Sequence, residues 1–171
     1  MATYPDIEVG DPIDDDTLNA MQYSTIIKSA NQTIVSSTTF QDDSELVTPT
    51  LDAGKWSVWL DLLSSGGTPF KVEWTNTGTM TGNRRCVGPG STETDTLSNV
   101  NAQWPDRGFA TDNVYGYRTE SGSPAQYWIS EHSIITVTVA GAIQARWGQN
   151  ASSAVTTTVH SGSFWKFKRV V

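Results

Sequence analysis

The run Gly54-Lys55-Trp56-Ser57-Val58-Trp59-Leu60-Asp61-Leu62-Leu63 alternates with a period of two, and this constrains the fold more than any other feature of the chain. Successive side chains of a strand point to opposite faces, so Trp56, Val58, Leu60 and Leu62 form one apolar stripe. A helix would scatter the same four residues around its circumference. The opposite face carries Lys55, Ser57, Trp59, Asp61 and Leu63, which is too apolar to meet only water. A second buried surface explains that face, and Trp59 and Leu63 are its candidate subunit-interface residues.

Similar patterns recur downstream. Residues 64–69 read as a turn. Phe70, Val72 and Trp74 then alternate with Lys71, Glu73 and Thr75, which predicts a hairpin partner with one wet face. Residues 76–113 are rich in Gly, Thr, Asn and Pro, and predict long loops with short strands, one of them at 84–87. Tyr115 and Tyr117, with residues 127–129, predict a further strand pair. Residues 133–140 lead through Gly141 into 142–147. Residues 154–159 are a Thr-rich strand. Trp165, Phe167, Arg169 and Val171 then share one face of the last segment, with Phe164, Lys166, Lys168 and Val170 on the other. About eight to ten short strands separated by turn signals predict an all-β fold, an antiparallel β-sandwich or jelly roll.

Composition agrees. Only 17% of residues are charged, and Thr and Ser dominate the polar positions, as on strand rather than helix surfaces. The hydrophobic fraction of 37% is low, but 7 Trp, 5 Tyr and 5 Phe exclude a disordered chain. The 171 residues suit one domain with a core.

The first 22 residues differ from the rest. Asp6, Glu8, Asp11, Asp14, Asp15 and Asp16 precede the first cation, Lys28. Pro5 and Pro12 resist regular structure, and Ile7, Val9 and Ile13 are spaced by acids. The Asp14–Asp16 cluster suits a helix start, so residues 17–22 predict one short helix with Leu18 and Met21 on its packing face. Two turns need a surface to pack on. Residues 1–22 therefore read as a mostly extended docking arm, and 23–171 as the β domain. Lys166, Lys168 and Arg169 near the other end give the acidic arm a basic counterpart, within one chain or between neighbours; two solvated termini are the plainer reading.

Chemistry is sparse. Cys86 is the only cysteine, so it makes no intrachain disulfide and reads as a small buried apolar residue. His132 and His160 are the only histidines. His132 follows Glu131, and neighbours on a strand face opposite ways. No metal-ligand spacing, phosphate loop or nucleophile elbow occurs, which points to a non-enzymatic protein without a cofactor. Asp42, Asp43 and Glu45 resemble a calcium loop loosely, but read more simply as a polar turn. A net charge of −7 argues against direct nucleic-acid binding. There is no apolar run long enough to span a membrane, and no signal-peptide pattern, so a cytoplasmic origin is expected. Trp104, Arg107, Tyr115 and Tyr117, with Trp128 nearby, form a candidate ligand loop, because aromatic rings stack on sugars. The same rings also fill cores and interfaces, which is the preferred reading.

Gly10-Asp11-Pro12-Ile13, followed by Leu18-Asn19-Ala20-Met21-Gln22, resembles the opening of small virion proteins of tailed phages that infect actinobacteria. Lys28, Gln32-Thr33, Ser36-Ser37-Thr38-Thr39-Phe40, Asp43-Ser44-Glu45-Leu46, Pro49 and Gly54-Lys55-Trp56 continue the likeness. Trp147-Gly148-Gln149-Asn150, Ser152-Ser153, Thr158-Val159 and Gly162-Ser163 resemble the family's end. The family's Thr-Ala step is Asp14-Asp15 here. The resemblance implies a tumour-necrosis-factor-like jelly roll, commonly a homotrimer, that serves as a capsid decoration or minor tail protein. It implies a place in the virion, with major capsid or tail proteins as partners through the arm. A carbohydrate-binding module for host-surface glycans is the alternative.

Overall fold

The computed structural model describes residues 22–66, 68–90, 107–108, 114–117 and 126–170. The docking arm, its short helix with Leu18 and Met21, and Trp104 lie outside the described residues. Among those described, the secondary structure is strand throughout, with no helix. The strands are β1 (Ser24–Ile27), β2 (Gln32–Ile34), β3 (Gln41–Val47), β4 (Gly54–Ser65), β5 (Phe70–Asn76) and β6 (Thr79–Val87). They continue with β7 (Arg107–Gly108), β8 (Tyr115–Tyr117), β9 (Tyr127–Val139), β10 (Ile143–Gln149), β11 (Thr157–Val159) and β12 (Phe164–Arg169).

They build two antiparallel sheets. The larger runs β1-β12-β4-β9-β6-β7, with β2 and β11 extending it beside the end of β4; the smaller runs β3-β10-β5-β8. Eight strands pair as a folded-over hairpin: β1 with β12, β3 with β10, β4 with β9, and β5 with β8. First thus meets last and the innermost two meet each other, which is the winding of a jelly roll. β6 and β7 are additions at the edge beyond β9.

The core lies between the sheets. The stripe predicted on β4 is there: Val58, Leu60 and Leu62 are buried, and Trp56 packs half-buried against them. Trp165 of β12 meets Trp74 of β5 edge to face at 4.7 Å and donates its indole N–H to the Leu46 carbonyl at 2.7 Å. These contacts tie the larger sheet to an edge strand, β3, and an inner strand, β5, of the smaller. Cys86 is in no disulfide and is buried, as expected.

Two pairing expectations are corrected. β4 and β5 are not hairpin partners: they belong to different sheets. Alternation shows which residues share a face, but does not name the neighbouring strand. β4 is followed by Gly66, where a Cβ would sit 2.9 Å from the Thr157 Cα. Nor does β5 have a wet face, because Glu73 is buried against Arg146 at 2.8 Å. Tyr115 and Tyr117 also do not pair with residues 127–129. β8 pairs with β5, while residues 127–129 open the thirteen-residue β9. Within 76–113, β6 is longer than the expected 84–87.

Candidate functional site

The face of the larger sheet that points away from the core is the most unusual surface of the molecule. The strand registers sort it into rows across β1, β12, β4, β9 and β6. At one end Leu63 lies opposite Trp128. The next row is Ile27, Phe164, Asp61, Ser130 and Val87. Ile27 is 64% exposed and Trp128 50%, and the Trp128 and Phe164 rings meet at 6.0 Å. This is an apolar end. Its carboxylate, Asp61, is nearly buried and accepts the Trp128 indole N–H at 3.1 Å. Burial pushes its pKa up, against the hydrogen bonds from Ser130 and Trp128.

The rows beyond are basic. Thr25, Lys166, Trp59, His132 and Arg85 form one. Lys168, Ser57, Ile134 and Asn83 form the next, and Lys55, Thr136 and Thr81 the last. Trp59 stacks on the His132 ring at 4.0 Å. A groove of about 340 Å³ opens beside them, lined by Asn83, Arg85, His132 and Ile134 among others. Tyr23 lies across this half: Lys166 Nζ sits 4.4 Å from its ring, and its hydroxyl is 3.5 Å from Ser57 Oγ. None of Lys55, Arg85, Lys166 and Lys168 forms an ion pair among the described residues.

The two histidines each meet a serine: His132 Nε2 lies 3.1 Å from Ser57 Oγ, and His160 Nε2 lies 2.7 Å from Ser65 Oγ. Burial lowers both imidazole pKa values, helped at His132 by Arg85, which favours the neutral rings. Among the described residues no carboxylate hydrogen-bonds to either ring, so neither pair has the orienting third member of a nucleophile triad.

The structure places the other predicted residues plainly. Trp59 and Leu63 are half-buried on the outer face, Trp59 in the first basic row and Leu63 at the apolar end. The ligand-loop expectation fails at Tyr115 and Tyr117. Both are core residues, and their hydroxyls donate inward, Tyr115 to the Arg84 carbonyl and Tyr117 to Glu131 Oε1 at 2.6 Å. Period-two spacing put both rings on one face without telling that the face was the core. The calcium-like acids serve in ion pairs: Asp43 takes buried Lys28 at 2.8 Å, and Asp42 takes Arg146 at 2.7 Å. No group of three or more His, Cys, Asp or Glu among the described residues is placed to hold a metal.

Sequence reasoning missed the buried charges. Arg84 and Glu131 face each other across β6 and β9 at 3.8 Å, both inside the core. The guanidinium lies 5.1 Å from the Trp74 ring and 4.8 Å from Tyr115. Burial raises the Glu131 pKa, although Arg84 and the Tyr117 hydroxyl oppose the shift. The available signal was phase: Arg84 alternates with Cys86, and Glu131 with Ile129.

No family model matches the chain, and no curated protein or solved structure is similar to it.

Proposed function

We propose that the chain is a non-enzymatic structural module of a tailed-phage particle, a homotrimer that decorates the capsid or tail and docks through residues 1–22. The observation that carries the assembly part is the apolar end of the outer face. Leu63, Trp128, Phe164, Ile27 and Val87 lie in two adjoining rows beside Trp59, on a face left uncovered among the described residues. Patches of this kind on a small domain mark contact surfaces. A second copy of this chain is its occupant. A jelly roll covers such a face in a closed ring with one repeated heterologous contact, and three copies suffice. The phage assignment rests on the resemblance, which covers roughly the first 75 and last 40 residues.

Light scattering of the full chain at micromolar concentration should give a trimer, and Trp128→Glu should give a monomer with an unchanged circular-dichroism spectrum. A monomeric parent would overturn the trimer. Deleting residues 1–22 should leave a folded domain that no longer joins particles, and unchanged incorporation would overturn the docking role. Glycan-array binding that is lost in Trp128→Ala would favour the carbohydrate-binding reading instead.

A further inference from the structure

Among the described residues the basic half of the outer face lacks a counter-charge. Lys55, Arg85, Lys166 and Lys168 project from three rows of one surface, and none is ion-paired among the described residues. Among the described residues the one carboxylate on that face, Asp61, sits buried beneath Trp128 at the apolar end. Between the cations lies an apolar floor of Trp59, the His132 ring and Ile134, the last 48% exposed.

The missing charge is present in the chain. Residues 6–16 hold six acids and no cation, interleaved with Ile7, Val9 and Ile13. The chain also enters the domain on this very face. Tyr23 lies under Lys166 and reaches Ser57, two strands in from the edge. Five strands from β1 to β6 are about 19 Å across at ordinary sheet spacing. Eleven extended residues span about 36 Å, and residues 17–22 supply more. Reach therefore sets no obstacle, and opposite charge selects the direction.

We infer that in the unassembled protein residues 6–16 of the same chain lie across the basic half of the outer face, their carboxylates against Lys166, Lys168, Lys55 and Arg85 and their apolar residues on Trp59 and Ile134. The inference is separate from the trimer, which uses the apolar end of the same face. A particle partner that takes the arm would have to displace it from this surface.

Zero-length carbodiimide cross-linking of the full chain tests it, followed by trypsin and mass spectrometry. The first cation is Lys28, so the arm is recovered as one peptide, 1–28. A mixture of unlabelled and nitrogen-15 protein identifies the donor chain. The expected result is amide cross-links from residues 6–16 to Lys166 and Lys168, each of a single isotope. Their yield should fall severalfold near 1 M salt, where the screening length is about 3 Å. Cross-links of mixed isotope would place the arm on a neighbour and overturn the inference. So would cross-links confined to Lys71 on the other sheet, or none. A trimer by light scattering with no arm cross-links sinks this inference alone, while single-isotope cross-links in a monomer sink only the trimer.

Discussion

At the residue scale, the core is held by charge as well as by apolar packing. Arg84 is sandwiched between Trp74 and Tyr115 and faces Glu131. Arg84→Ala should cost about 3–5 kcal/mol, since it strands a buried carboxylate. Urea unfolding at pH 7 measures it. A carboxyl whose folded pKa is raised binds protons more readily in the folded state, so its contribution improves as pH falls. The loss in Arg84→Ala should therefore shrink at pH 5, and an equal loss at both pH values would contradict the assignment. Glu45 has the opposite sign. Its carboxylate accepts the Ser29 hydroxyl and the Ser29 and Ala30 amides, which lower its pKa from 4.5 to about 2. The unfolded chain takes up that proton first, so stability present above pH 4.5 is lost as pH falls toward 2. Glu45→Gln should flatten this acid limb in a pH series of melting temperatures. Of all this the sequence disclosed the opposed faces of Glu131 and His132. Phase set Arg84 in step with Cys86 and Glu131 with Ile129, but it could not name the two as partners, because ion partners more than forty positions apart leave no local trace of their pairing.

At the element scale, strand existence was legible and strand partnership was not. β4, β10 and β12 follow from their alternation, since one face of each must be apolar. The sheet-to-sheet crossings decide who pairs with whom, and three of them converge. The connection after β3, the turn at 77–78 and the turn at 140–142 all meet at one end of the sandwich. Leu51 and Gly141 exchange backbone hydrogen bonds, and the Thr77 amide donates to the Ala142 carbonyl. Gly78 and Gly141 touch backbone to backbone there, and a Cβ on Gly78 would run into the Val139 and Ala140 carbonyls. Two chains can cross this closely only without side chains. Gly78→Ala should destabilise the domain by about 1–3 kcal/mol, the usual cost of overpacking. A melting curve within error of the parent would show that the crossing can relax. The candidate face was half legible: Trp59 and Leu63 marked it, while Trp128 joined it only through β9, whose start had been assigned to another strand pair.

At the scale of the whole molecule, one sheet face carries both the apolar end and the unpaired cations, while much of the acid sits on the other sheet or in the arm. If three copies bury the apolar end, the melting temperature should rise with protein concentration, because the folded state is then linked to association. Scans across a hundredfold dilution test this, and a constant value would count against a trimer. The jelly-roll winding has a further consequence, for the order in which the domain can be made. Of the strands described, β10 lies between β3 and β5, and β12 between β1 and β4. Both interior positions are thus filled by segments that leave the ribosome late. Until they emerge, four early strands lack a neighbour and their edges stand open to foreign strands. A nascent chain halted before residue 143 should therefore have neither sheet closed, and holding such edges apart falls to whatever chaperones the producing cell supplies.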